Sequence, residues 1–175
     1  ILLPYKENFS PLYPGAVSLF VKDTANLSRY KKNIIVYGNT NFKKKFHIKY
    51  QNISLSNFKF QSKSKQYVNK FIEIESENPS DLIEIHNRPN YLSEIVKYLT
   101  KKNLVLYFHN DPLTMTGSKS INERKFLLKN CYKIIFNSNW SKKRFLEGMH
   151  DKFVNSEKLL VIFQSAKKLS VDINN

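Results

Sequence analysis

His86 and His109 stand where this chain is best placed to act on a polar ligand. Each opens a polar cluster that ends an apolar run. Leu82-Ile83-Glu84-Ile85 passes into His86-Asn87-Arg88-Pro89, and the run from Leu104 to Phe108 passes into His109-Asn110-Asp111-Pro112. A histidine in such a place can donate to or accept from a hydroxyl or a phosphate. Pro89 fits the first turn of a following helix, so Asn87 and Arg88 sit at a helix entrance, where partial positive charge favours anions. Asn110, Asp111 and Pro112 force an immediate turn. The same residue types also serve plain structural ends, as a strand-capping histidine, a helix-capping asparagine or a solvated arginine. The repetition of the design in consecutive runs is what favours a shared site.

Other chemistries find less support. The four histidines (His47, His86, His109 and His150) are scattered, and no His-x-x-x-His or Cys-x-x-Cys spacing occurs, so no metal site is expected. No nucleophile elbow is present. The loop Pro14-Gly15-Ala16 offers one glycine where a dinucleotide fingerprint needs three, although a single glycine still permits close backbone approach to a ligand. Cys131, the single cysteine, excludes an intramolecular disulfide, points to a reducing compartment, and reads as a packing residue rather than a nucleophile.

The elements that must position the clusters follow from the apolar runs. Strands are expected at Ile1 to Tyr5, Asn33 to Tyr37, around Phe46 to Tyr50, Asp81 to His86, Leu104 to His109, Tyr132 to Asn137 and Leu159 to Phe163. Helices are expected at Ala16 to Tyr30, Ser64 to Glu77, Pro89 to Lys102, Ile121 to Asn130 and Trp140 to Met149. No pattern emerges from Ala166 onward, and no repeat or linker divides the chain. Alternating strands and helices of this kind predict a Rossmann-like, doubly wound α/β domain, with a mainly parallel sheet and helices on both faces. Ligands of such sheets bind at the carboxyl ends of the strands. Gly15, His86 and His109 are therefore expected to meet along one edge.

At 175 residues the chain has the length of one domain. No apolar stretch approaches the ~18 residues of a membrane span. The chain opens inside an apolar run without an initiator Met, which reads as a start within a longer polypeptide. Its formal charge of +15 favours an anionic partner. Only four of its 29 basic residues are arginine (Arg29, Arg88, Arg124, Arg144), whereas dedicated nucleic-acid surfaces draw on arginine for bidentate contacts. The basic-aromatic stretch from Phe42 to Lys65 fits an anionic lipid surface, a nucleic acid strand, or a solvated loop whose aromatics fill the core. A basic module for nucleic acid or membrane therefore stands as the alternative to a small-molecule site.

The order and spacing of these segments resemble the N-terminal, acceptor-side half of the GT-B family of retaining glycosyltransferases. The likeness runs from Ile1 to Phe163. Its carriers are Leu3-Pro4 through Phe9-Ser10-Pro11 to Pro14-Gly15-Ala16, the segment Asp81 to Pro89, Leu104 to Pro112, and Ile134 to Ser138. The segments "IHNRP" and "FHNDP" are similar to members that build lipopolysaccharide and other cell-surface glycans. The resemblance implies transfer of a sugar from a nucleotide sugar to a hydroxyl acceptor with retained configuration, at the cytoplasmic face of the cell membrane, without a metal or a cofactor besides the donor substrate. It implies that His109 bonds the donor sugar and that Gly15, with Pro14 in place of a first glycine, lets backbone approach the transferring centre. His86, Asn87 and Arg88 would line the acceptor side, with Asn110, Asp111 and Ser138 on the same rim. Gln164-Ser165 replaces the Asn-Gly usual after the last strand. The nucleotide would be held by a second, C-terminal domain outside this chain, and the isolated half would be inactive.

Overall fold

The computed structural model describes residues 1–56, 61–99, 103–150 and 157–164. Phe58, Lys59 and Phe60 of the basic-aromatic stretch, Lys101 and Lys102 at the end of one expected helix, and Ser165 onward lie outside them. The strands are β1 (Val36–Gly38), β2 (Tyr50–Asn52), β3 (Leu82–His86), β4 (Asn103–Phe108), β5 (Lys133–Phe136) and β6 (Leu159–Val161). The helices are α1 (Ala16–Leu27), α2 (Lys63–Glu77), α3 (Tyr91–Tyr98), α4 (Ile121–Asn130) and α5 (Asn139–Leu146). Every strand pairing is parallel.

The N-terminal segment joins the two groups of strands. Leu2 bridges Tyr37 on one side and Ile85 on the other, both in parallel. Its N–H donates to Glu84 O at 2.7 Å, and Leu3 N–H donates to Tyr37 O at 3.0 Å. The layer therefore runs β2, β1, the Leu2 segment, β3, β4, β5, β6. Chain direction across the sheet reverses between the Leu2 segment and β3, the switch point at which such sheets open a crevice.

Alternation along the strands separates two cores. One face carries Leu2, Tyr37, Ile83, Ile85, Leu106 and Phe108 against α2, α3, α4 and α5; the other carries Leu3 and Val36 against Val17, Val21 and Ala25 of α1. Tyr67 of α2 fastens this arrangement by donating its buried hydroxyl to Leu3 O at 2.9 Å. Local signals set the helix starts. Ser120 and Glu123 form a reciprocal capping box at α4, and Ser62 accepts Lys65 N–H at α2.

The expected Rossmann-like α/β fold is what forms, with corrections at several edges. The first strand is reduced to the bridge at Leu2, because Pro4 has no N–H to continue the ladder and the chain turns at Tyr5-Lys6. A 3-10 turn takes Lys31–Asn33, so β1 starts at Val36. The strand expected at Phe46 to Tyr50 falls instead at Tyr50–Asn52. Phe46 packs nearly perpendicular to Phe9 (ring centroids 5.1 Å apart), Ile48 is buried beside α1, and Tyr50 is the residue in register with Val36. Phe42 packs on Tyr13 and Tyr50 stacks on Phe9, so these aromatics of the basic stretch engage other rings of the chain. The helix expected from Pro89 starts at Tyr91, after a turn, and ends at Tyr98.

Candidate functional site

β3 and β4 each turn a polar row toward α1. Residues two apart in a strand share a face, so Glu84 and His86 project together, as do Tyr107 and, just past the strand, His109. Pairing sets His86 opposite Tyr107, and their rings stack at 4.8 Å and 11°. His109 lies edge to edge with His86, ring centroids 5.1 Å apart and planes 23° apart. Phe20 of α1 closes over the group, its ring centroid 4.9 Å from that of His109 and its plane steeply inclined at 73°.

Hydrogen bonds run through this stack end to end. Glu84 Oε1 lies 2.6 Å from His86 Nε2, and His86 Nδ1 lies 2.8 Å from His109 Nε2. His109 Nδ1 lies 2.6 Å from Gln164 Nε2, beyond the end of β6. Three strands thus contribute to one line that starts under the sheet surface and ends at its carboxyl rim.

The backbone of His109 is pinned from both sides. Its N–H donates to Asn87 Oδ1 at 2.9 Å, and its carbonyl accepts from Asn137 Nδ2 at 2.8 Å. Asn137 Oδ1 in turn accepts from the Ser141 hydroxyl at 2.7 Å, and Ser138 caps α5 by accepting Ser141 N–H at 3.1 Å. The turns after β3, β4 and β5 are thereby cross-linked through side chains, which holds His109 rigidly.

Protonation follows from this setting. Burial, helped by the positive charge available to His86 and opposed by Glu84, pushes the His109 imidazole down to about 3, so it is neutral at physiological pH. Burial alone would raise the Glu84 carboxyl, but interactions led by the hydrogen bond and charge of His86 outweigh it, and the net shift is downward. Burial and the Glu84 charge raise the Tyr107 phenol. The array is a neutral His109 backed by an anionic Glu84.

The other expected residues divide between rim and framework. Gly15 begins α1, the helix that carries Phe20 onto His109, so it lies on the same side of the sheet as the histidines. A Cβ there would fall 1.9 Å from Glu7 Oε1, which accepts Ser18 N–H at 3.0 Å and so occupies the start of the helix. Pro14, just before it, is partly exposed. Asn87 is buried and spent on His109, and Arg88 folds its guanidinium back onto Asn87 O at 2.7 Å. Asn110 is exposed at the rim. Asp111 caps the turn at Pro112–Thr114 through Leu113 N–H (3.0 Å) and pairs with Arg144 of α5 at 3.2 Å. Cys131 is buried, and burial raises its thiol to about 12, which leaves no thiolate for nucleophilic work.

With the six strands of the described residues in this order and a polar rim at their carboxyl ends, the architecture can be matched to known structures. Its fold resembles that of Anabaena Alr3699/HepE. The structure of that protein in complex with UDP and glucose superposes with a TM-score of 0.62 at 19% identity, over 94% of this chain and 44% of the other. The structure of Alr3699/HepE in complex with UDP-glucose gives 0.59 at 19% identity, over 93% and 43%. The chain thus spans less than half the length of that neighbour. No protein-family description matches the sequence, and no curated protein is similar to it. The likeness to Alr3699/HepE lies in the fold.

Sequence reasoning singled out the histidines but passed over Glu84, Tyr107, Phe20 and Asn137. Glu84 carried a readable signal. A glutamate two residues before a histidine, inside an apolar strand, puts two polar groups on one face of a sheet that should be covered on both. Asn137 stood at the end of the expected strand Tyr132 to Asn137, where a polar residue closes an apolar run. Phe20 carried no signal, because its contact depends on how α1 crosses the sheet.

Proposed function

We propose that this chain is the acceptor-side half of a glycosyltransferase that moves a sugar from a nucleotide sugar to a hydroxyl acceptor with retained configuration. The observation that carries this reading is the placement of His109, a neutral imidazole pinned at the carboxyl rim of the sheet. The fold shared with Alr3699/HepE, whose structures contain UDP, glucose or UDP-glucose, supports the choice of substrate class. In this reading His109 binds the donor sugar, Gly15 borders the transferring centre, and a second domain beyond this chain holds the nucleotide. The isolated half transfers nothing.

A cleft of about 550 Å³ at the carboxyl ends of β1 and β2 supports an acceptor site. Asn39, Asn41 and Asn52 line it with Lys6 and Lys63. Amides suit hydroxyls and lysines suit anionic groups, so the proposed acceptor is a glycan or glycolipid bearing negative charge, as in lipopolysaccharide or other cell-surface glycans. Exposed Lys43 and Lys44, with the half-buried Lys45, supply a contact to the anionic cytoplasmic leaflet. Among the described residues no helix is long and apolar enough to cross a membrane.

The test is sugar transfer by the full gene product, with and without His109→Ala, using a panel of nucleotide sugars and cell-envelope acceptors. Loss of about 100-fold is expected if His109 orients the reacting sugar. Unchanged transfer by the variant, or full activity of the 175-residue chain alone, would reject the assignment. Flotation with anionic vesicles, lost on changing Lys43, Lys44 and Lys45 to Glu, tests the membrane contact.

A further inference from the structure

The row Glu84, His86, His109, Gln164 has a direction, because an ionised carboxylate only accepts hydrogen bonds. His86 must therefore turn an Nε2–H toward Glu84 Oε1, 2.6 Å away. A neutral imidazole protonated there keeps a lone pair on Nδ1, and that lone pair accepts from His109 Nε2–H across 2.8 Å. His109 then keeps its own lone pair on Nδ1, into which the Gln164 amide N–H donates at 2.6 Å. Every group is satisfied, and every donor points toward Glu84. The reverse polarity needs a second proton on His86, which would then donate from Nδ1, and an acceptor in place of the Gln164 amide nitrogen.

We infer that Glu84 and His86 are positioning residues that fix His109 as its Nε2–H tautomer, so that Nδ1 offers a lone pair to the rim and receives a ligand group that donates a hydrogen bond. The matching ligand chemistry is a sugar hydroxyl. A fully ionised phosphate, bearing acceptor oxygens alone, would meet Nδ1 lone pair to lone pair. This deepens the glycosyltransferase reading and rests on it for the identity of the ligand.

Two further observations favour the assignment. Gln164 is exposed, so its amide N–H sits where a ligand hydroxyl would replace it without disturbing the core. The rings of Tyr107 and Phe20 pack against both histidines (4.8 and 6.0 Å to His86, 5.9 and 4.9 Å to His109), which limits rewiring of the row by water. The downward shift of His109 agrees with a neutral ring.

Long-range proton–nitrogen correlation NMR on the 175-residue chain reads the tautomer directly. A pyridine-type Nδ1 and a pyrrole-type Nε2 on His109 at neutral pH are expected; a pyrrole-type Nδ1 or an imidazolium overturns the inference. Glu84→Met removes the acceptor that sets the direction and should introduce an Nδ1–H population. An unchanged pattern in that variant, if folded, removes Glu84 from the role. Gln164→Glu, at an exposed position, keeps the experiment decisive where Glu84→Met fails to fold. The new carboxylate only accepts, so it cannot replace the Gln164 amide as donor, and the Nδ1 resonance should shift as that hydrogen bond is lost. An Nδ1 resonance unmoved by the substitution rejects the contact between Nδ1 and residue 164. Titration with glucose should then move the Nδ1 resonance, whereas sulfate, fully ionised and able only to accept, should not, and a sulfate response at Nδ1 overturns the specificity. Silence toward glucose with the expected tautomer counts against the sugar-binding reading alone.

Discussion

Asn87 holds the His109 backbone N–H at 2.9 Å from a left-handed conformation, φ 53°. The two features are linked. The chain leaves β3 with Asn87 N–H still bonded to Tyr107 O, and the positive φ accompanies the swing of its side chain across to the end of β4. Asparagine tolerates that region better than other residues with a Cβ, glycine excepted. Asn87→Ala should cost about 2–3 kcal/mol, from one lost hydrogen bond and the left-handed backbone. Asn87→Gly should cost about 1 kcal/mol less than that, because it relieves the backbone but not the bond. Urea denaturation of the two variants makes the comparison, and equal losses would show that the conformation carries no strain.

Acid should weaken the fold through the same cluster. His109 is shifted down to about 3 from an ordinary 6.5, so below pH 6.5 the unfolded chain binds a proton that the folded chain refuses. The unfolded state then holds more protons, and stability falls as pH falls, by at most about 1.4 kcal/mol per pH unit for one group. Glu84, also shifted down, adds a loss in the same direction, starting below its ordinary value of 4.5. Denaturation midpoints between pH 6 and pH 5 (roughly the upper part of this window) isolate the histidine. His109→Gln should flatten the slope there, and an unaltered slope would assign the acid sensitivity elsewhere.

Asp111 offers a test between framework and site. Its carboxylate meets the Arg144 guanidinium at 3.2 Å and caps the turn that follows β4. Both side chains are partly exposed, at 19% and 31%, so solvent screens the pair and the turn cap carries most of the stabilisation. Asp111→Ala should therefore lower stability by about 1 kcal/mol, the worth of the cap, while leaving ligand-induced NMR shifts at His109 in place. A variant that keeps its stability and loses those shifts would return Asp111 to the ligand.

The sheet was legible because its strands are nearly continuous apolar runs, and Leu82 to His86 appears in the structure almost as read. The α4 helix, expected at Ile121 to Asn130, forms with those bounds, and a capping box of Ser120 and Glu123 fixes its start. Misplacement occurred where tertiary contacts choose among equal local options. Phe46 and Ile48 have strand character, yet the Phe9 ring and α1 claim them, and the pairing falls to Tyr50. At the site, strand-end position sufficed to find His86 and His109. It did not distinguish a side chain facing a ligand from one spent on a neighbour, as Asn87 and Asp111 are. Gln164 stood out only as a departure from a family pattern, and its bond to His109 spans 55 residues of sequence.

Gly15 carries two explanations that a double variant separates. A Cβ at this position would lie 1.9 Å from Glu7 Oε1 and 2.4 Å from Glu7 Cδ, at the far end of a flexible side chain. Gly15→Ala should push the Glu7 carboxylate aside and break its bond to Ser18 N–H, the anion that completes the start of α1. The expected cost is about 1 kcal/mol, the worth of one capping interaction. With Glu7→Ala already in place that carboxylate is gone, so adding Gly15→Ala should cost close to nothing, and the two changes should show strong coupling in a double-mutant cycle. If Gly15 also lets backbone approach the transferring centre, stability and function will part company. The double variant will fold as well as Glu7→Ala alone, yet sugar transfer by the full gene product will stay low. Transfer restored along with stability would leave Gly15 with a purely structural reason to be glycine.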